Sequence, residues 1–122
     1  MHALIIEDYS MISSMIEALL RESGYTSFAF ASGEQEAIEA ALIKCPDLIT
    51  ADVQLAHGSG IQAVRTICEQ RAIPVIVIAA EVTDVERVLV PEAVILLKPF
   101  SERDFGKAIT EAVAAIRHHE QT

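Results

Sequence analysis

Glu7, Asp8, Asp52 and Lys98 are the residues of this 122-residue chain whose types and spacing could do chemistry together. Glu7 and Asp8 follow the apolar run 3–6, Asp52 follows the run 48–51, and Lys98 follows the run 94–97. Carboxylates crowded into one crevice penalise one another's ionised form. A hard divalent ion relieves that repulsion, and oxygen ligands with retained waters suit Mg2+. Such an ion keeps positions open for a phosphate, while a lysine opposite supplies a point positive charge to a phosphoryl oxygen. A carboxylate nucleophile, a metal and a fixed cation are the parts of a phosphoryl-transfer site, which asks mainly for positioning and charge neutralisation.

Taken singly, each of these residues has a plainer role. An acidic pair after a strand often serves only a solvated loop or a helix N-terminus. An Asp at a strand end often starts a turn, and a Lys before Pro often marks one. Their joint appearance at strand ends of one sheet face is what favours the functional reading.

The elements that must position them can be read from the hydrophobic pattern. The runs 3–6, 48–51, 75–80 and 94–97 are rich in Ile and Val and do not alternate with polar residues. Strands covered by helices on both faces look like this. A fifth run, 26–30, alternates more and suits a place nearer the sheet edge. Between the runs the period becomes helical. Ile12, Met15, Ile16, Leu19 and Leu20 form one apolar face, and Gly24 is placed to stop that helix. Ser32 and Gln35 form a capping box for a second helix carrying Ala37, Ile38, Ala41 and Leu42, which ends before Pro46. Ile61, Val64 and Cys68 mark a third, with Ser59 and Gly60 at its start. A short fourth helix is expected around 84–89, and a last one from Ser101 that buries Phe105, Ile109, Val113 and Ile116.

This alternation predicts an α/β fold, a doubly wound five-stranded parallel sheet with helices on both faces, as one domain over residues 1–122. In the flavodoxin-like order 2-1-3-4-5, strands one and three are neighbours where the strand order reverses. Ligands of open α/β sheets bind there, outside the carboxyl ends of the strands. All four charged residues then meet in one crevice.

Composition narrows the rest. A hydrophobic share of 52% supports a well-buried core. A net charge of −9, with Lys and Arg scattered, argues against a nucleic-acid binder. No apolar run approaches the roughly 20 residues that span a bilayer. The start, MHALIIEDYS, reaches acidic residues too early for a secretory signal. Cys45 and Cys68, without a CxxC, read as buried thiols of a cytoplasmic protein, a redox pair being the alternative. His57 reads as a solvated loop residue, and His118 and His119 suit the negative end of the last helix. The segment after the first strand lacks phosphate-cradling glycines, which argues against a flavin or nucleotide enzyme.

From about residue 3 to 116 the sequence resembles the response-regulator receiver family. The resemblance rests on IIED near the start, PDLITADVQL around Asp52, GSGI opening the third helix, PVIVIAA for the fourth strand, and LLKPF. It implies that Asp52 is the phosphoacceptor, that Asp8 binds Mg2+ directly and that Glu7 helps through water. It implies the backbone carbonyl of Gln54 as the remaining protein ligand, and Lys98 as a contact to the phosphoryl group. The Lys98–Pro99 peptide is expected to be cis. The phosphoryl group would come from phosphohistidine on a sensor histidine kinase or a histidine phosphotransfer protein. Such a receiver is a signalling protein that assists its own phosphorylation and dephosphorylation. With no output domain after the last helix, the signal is expected to leave by contact with a downstream protein target, with no nucleic acid or membrane involved.

The sequence departs from the family pattern at the switch. Where the fourth strand normally ends in Thr or Ser stands Ala79, and where an aromatic normally sits three residues before the lysine stands Ile95. The span 79–98 is shorter than usual, and Ala56 stands where Pro is frequent. The DVQLA–GSGI pattern resembles a branch known from stress-response regulators of some bacteria. Losing one hydrogen bond to a charged group costs on the order of 1.5–3 kcal/mol, comparable to allosteric couplings of about 1–3 kcal/mol. The expectation is therefore intact chemistry with a non-standard readout, with Thr83 as a candidate replacement donor. The alternative is an interaction module that binds its partner through the first helix whatever the state of Asp52.

Overall fold

Five short strands build the sheet: β1 (His2–Ile6), β2 (Ser27–Ala31), β3 (Leu48–Asp52), β4 (Val75–Ala79) and β5 (Val94–Leu97). The computed structural model describes residues 1–53, 55–69, 71–81 and 92–121, with side chains to Arg117. The helix expected around 84–89, Thr83, Gln54 and the side chains of His118 and His119 lie outside the described residues. All strand pairs are parallel, in the order β2-β1-β3-β4-β5. β1 therefore has β2 on one side and β3 on the other, and the order reverses between β1 and β3.

Four helices among the described residues cover both faces: α1 (Ser10–Glu22), α2 (Glu34–Ile43), α3 (Gly60–Cys68) and α4 (Glu102–Gln121). Because side chains alternate across a strand, β1, β3 and β4 each feed two cores. Ala3, Ile5, Leu48 and Ile78 pack with Ile16 and Leu20 of α1 and Phe105 and Ile109 of α4. Leu4, Ile6, Ile49 and Val77 pack with Ala37 of α2 and Ile61 and Val64 of α3. Burying one such Leu or Ile contributes roughly 1.5–3 kcal/mol, which is why the strands read as unbroken apolar runs.

The helix ends explain where the chain turns. Gly24, at φ 98°, follows α1, its N–H donating to Arg21 O and that of Tyr25 to Leu20 O, both at 3.1 Å. This paired closure is the Schellman arrangement that a glycine permits. At α4, Ser101 Oγ accepts the Asp104 N–H at 3.1 Å and Asp104 Oδ2 accepts the Ser101 N–H at 3.0 Å. That reciprocal cap fixes the helix directly after the β5 loop.

Some expectations need correction. The cap of α2 is Gly33, with no side-chain cap bond, so Ser32 and Gln35 form no capping box. Instead Glu36 Oε1 accepts the Ser32 N–H at 2.9 Å, one position further along the first turn. Leu42 is 81% exposed, because Ala37, Ala40 and Ala41 supply the packed stripe and Leu42 lies a further 100° around the helix. Met15 is 45% exposed, at the margin of a stripe centred on Ile16 and Leu20. Cys45 is exposed rather than buried, since it stands in the connection between α2 and β3, while Cys68 is half-buried at the end of α3.

Candidate functional site

Strand register brings the charged residues together. Ile6 pairs with Ala51, so the next residues, Glu7 and Asp52, leave adjacent strands side by side. Asp52 pairs with Ile78 of β4, and Ala79 pairs with Leu97, directly before Lys98. The ladder continues one step past the strands on both sides. The Glu7 N–H donates to Ala31 O at 2.9 Å, and the Lys98 N–H donates to Ala79 O at 2.9 Å. The backbones of both residues are thereby held by the sheet rather than by a loose loop.

Lys98 Nζ lies 2.8 Å from Asp52 Oδ2, with the lysine side chain 38% exposed and the aspartate 9%. Burial lowers the Lys98 pKa, but the hydrogen bond and charge of Asp52, with Glu7 and Asp8 behind it, outweigh this and hold it above its usual value. Glu7 is buried, and its Oε1 accepts the Tyr9 N–H at 3.1 Å while Oε2 meets no donor. Burial is the main cause that raises Glu7 to about 7; once protonated it can share its proton with Asp52, whose charge raises it further. The Tyr9 N–H and Lys98 pull the other way. Asp8 lies at the mouth, where its Oδ2 accepts the Ala56 N–H at 2.8 Å.

Gly60 completes the floor. A Cβ on it would fall inside contact distance of the Asp52 carbonyl oxygen, so α3 can begin against the backbone of Asp52 only with a glycine there. In the sequence the only signal for this closeness is the GSGI motif.

Among the described residues no group of three or more His, Cys, Asp or Glu side chains is placed to hold a metal ion. The chemistry of the donors nevertheless fits a divalent cation. Glu7 carries a buried oxygen without a donor, beside a second carboxylate. A hard cation between such oxygens relieves both the missing partner and the repulsion. Glu7, Asp52 and Asp8 are the residues that would supply oxygens; Gln54 lies outside the described residues.

The two positions that depart from the family pattern lie on β4 and β5, Ala79 at the strand end and Ile95 opposite Val77. Ala79 is 2% exposed and offers only its backbone carbonyl, already taken by Lys98. Ile95 is half-buried, and strand alternation turns it away from Val94 and Leu96, which join the α1 and α4 side. The Lys98–Pro99 peptide is cis. His57 is exposed, with its carbonyl accepting the Glu34 N–H at 3.0 Å.

The sequence profile of the response regulator receiver domain matches residues 3–110. The transcriptional regulatory protein PdtaR of Mycobacterium tuberculosis is 38% identical over 117 residues, which cover 93% of this chain and 57% of PdtaR. The phyllosphere-induced regulator PhyR of Methylorubrum extorquens is 37% identical over 116 residues, covering 90% of this chain and 42% of PhyR. The chain spans about half the length of these curated relatives. The receiver domain of Erythrobacter litoralis PhyR superposes with a TM-score of 0.78 at 34% identity, covering 93% of this chain and 89% of that one. The anti-anti-sigma factor PhyR of Bartonella quintana gives 0.76 at 33% identity, covering 98% of this chain and 49% of that one.

Proposed function

Because the chain belongs to the response regulator receiver domain family, we propose that it accepts a phosphoryl group on Asp52. The observation that carries this reading is the Lys98–Asp52 ion pair, 2.8 Å long, beside the buried Glu7 at the mouth between β1 and β3. In the transfer, a carboxylate oxygen of Asp52 bonds to phosphorus as the bond from phosphorus to the donor's imidazole nitrogen breaks. Lys98 follows the negative charge from Asp52 to a phosphoryl oxygen. Asp8 and Asp52, with the backbone carbonyl of Gln54 and with Glu7 acting through water, would hold Mg2+, which when bound would neutralise charge on the phosphoryl oxygens. Glu7, raised to about 7 without the cation, would ionise to do so.

The donor is phosphohistidine on a sensor histidine kinase or a histidine phosphotransfer protein, met in the cytoplasm. The output is contact with a downstream protein target, by residues 1–122 acting as one receiver unit. Protein contact fits a relative described as an anti-anti-sigma factor. With Ala79 and Ile95 at the switch positions, the readout is non-standard. Among the described residues no helix is long and apolar enough to cross a membrane.

A second reading has one observation in its favour. Tyr9, the N-cap of α1, and Met11 in its first turn are 70% and 84% exposed, next in sequence to Glu7 and Asp8. An exposed apolar pair there suits a module that binds its partner regardless of phosphate. Labelling with a small phosphodonor and Mg2+, comparing wild type with Asp52→Asn, tests the main reading. Labelling confined to the wild type is expected; equal labelling of the two ends the assignment of Asp52.

A further inference from the structure

Residues 57–59, on the path from Asp52 to α3, are fastened to the first turn of α2. Gly33 and His57 form an isolated parallel bridge, and the Glu34 N–H donates to the His57 carbonyl at 3.0 Å. The Glu34 side chain reaches over the loop, where its Oε1 accepts the Ser59 N–H at 3.0 Å. Gly58 lies against it at φ 90°, and a Cβ there would stand 2.6 Å from Glu34 Cβ and 2.8 Å from Oε1. Both the backbone conformation and the lack of space require glycine at that position.

The bond to Ser59 has a specific role. Ser59 is the N-cap of α3, and its side chain accepts the Gln62 N–H at 3.3 Å. Its own N–H precedes the helix and finds no acceptor within it. Glu34 supplies that acceptor from another element. The loop is thus tied at its far end to α2, and at its near end by the Val53 N–H on Ile78 O at 3.1 Å.

Between these ties lies Ala56, whose N–H donates to Asp8 Oδ2 at 2.8 Å. A donor on one carboxylate oxygen fixes the rotation of the group and leaves the second oxygen for a cation. Hydrogen-bond partners of this outer kind orient metal-binding carboxylates and tune their affinity. A backbone N–H can do so only if its loop is already ordered, since ordering costs roughly 1–2 kcal/mol per residue.

We infer that Glu34 is a positioning residue of the acceptor site, holding the loop so that the Ala56 N–H orients Asp8. It acts through Ser59 and Ala56, not on the reacting atoms. The consequence for the metal rests on the reading of Asp8 as a ligand; the clamp on the loop does not.

Amide hydrogen exchange at Ala56 in the metal-free full chain tests the clamp, and Mg2+ titration of the same samples tests its consequence. Glu34→Ala is expected to speed Ala56 exchange about tenfold and to weaken Mg2+ binding by roughly tenfold. Glu34→Gln keeps an acceptor oxygen and should stay close to wild type in both. Gly58→Ala pushes the same side chain from the loop side and should reproduce the loss, so the inference does not depend on one variant folding. Unchanged exchange at Ala56 in Glu34→Ala and Gly58→Ala overturns it, as does faster exchange with unchanged Mg2+ affinity. A wild type that binds no Mg2+ instead removes the metal-site reading and the consequence drawn from it, whatever Ala56 does.

Discussion

Lys98 Nζ and Asp52 Oδ2 meet at 2.8 Å across 46 residues of chain. The pair holds a positive charge against two neighbouring carboxylates, one of which, Glu7, is 5% exposed. Lys98→Ala removes that positive charge and leaves the Asp52 charge against Glu7. Breaking a fully buried pair costs about 3–5 kcal/mol; with the lysine side chain 38% exposed, solvent screening brings the expected loss to about 1–2 kcal/mol. Urea denaturation at neutral pH without metal measures it. A variant as stable as wild type would show that the pair contributes nothing to the fold.

Glu7 titrates at about 7 in the folded protein against 4.5 as its ordinary value. A carboxyl whose folded pKa is raised binds its proton more tightly when folded. Its contribution to stability is therefore complete below about 4.5 and is lost as pH rises through about 7. Glu7→Gln cannot ionise, so across that window the metal-free variant should lose less stability than wild type, by roughly 1–3 kcal/mol. On the proposed function, Mg2+ binding should strengthen over the same window as Glu7 ionises. Chemical denaturation across a pH series checks the first point. Parallel curves for the two proteins would place the titrating group elsewhere.

The sheet and the meeting of Glu7, Asp52 and Lys98 could be read before the fold because both follow from local pattern. Unbroken Ile and Val runs mark strands covered on both faces, and a charge after each run lands at the same sheet edge. Features at element ends were less legible. Periodicity places Leu42 on the apolar face of α2, but small alanines set the packed stripe and leave it 81% exposed. Cys45 looks like a core thiol only because it lies between the apolar runs 41–43 and 48–51. The Glu34–Ser59 bond joins a side chain to a backbone N–H 25 residues away, and neither group has a residue-type signature for that pairing.

Gly60→Ala should be among the most damaging small substitutions in the chain. Its added Cβ collides with the backbone carbonyl of Asp52, and a backbone oxygen in a central strand cannot swing aside as a flexible side chain can. Forcing an extra carbon into so close a contact typically costs about 1–3 kcal/mol or more. Thermal unfolding monitored by circular dichroism is the measurement, with Gly106→Ala, where a Cβ meets nothing, as the control. Equal melting temperatures for the two variants would refute the contact.

The two thiols should differ in reactivity. Cys45 is exposed, with Arg71 Nη1 3.3 Å from its sulfur. Cys68 is half-buried, and burial is the leading cause that pushes its pKa up. Alkylation depends on thiolate and access, so iodoacetamide at neutral pH should modify Cys45 at least about tenfold faster. Peptide mapping by mass spectrometry reads the ratio. Equal labelling of the two cysteines would contradict their different environments.

Ala79→Thr asks whether the readout fails for want of one hydroxyl. Residue 79 is 2% exposed at the end of β4, and its carbonyl already anchors Lys98, so the methyl of Ala79 is the group that can be exchanged without breaking the ladder. Threonine suits a strand, and the added atoms should cost no more than about 1–3 kcal/mol of stability. On the proposed function, its hydroxyl gains a hydrogen bond to the phosphoryl group. A bond to a charged group is worth about 1.5–3 kcal/mol, as large as typical couplings between distant sites. Phosphorylation should then move the backbone after β4 more in the variant than in wild type, as amide chemical shifts of Ala80 and Glu81 would report. Adding Ile95→Tyr supplies the ring and should extend the shifts to β5. If phosphorylation produces the same shifts in wild type and both variants, residue 79 does not limit the signal, and the route from Asp52 to a partner runs through another part of the surface.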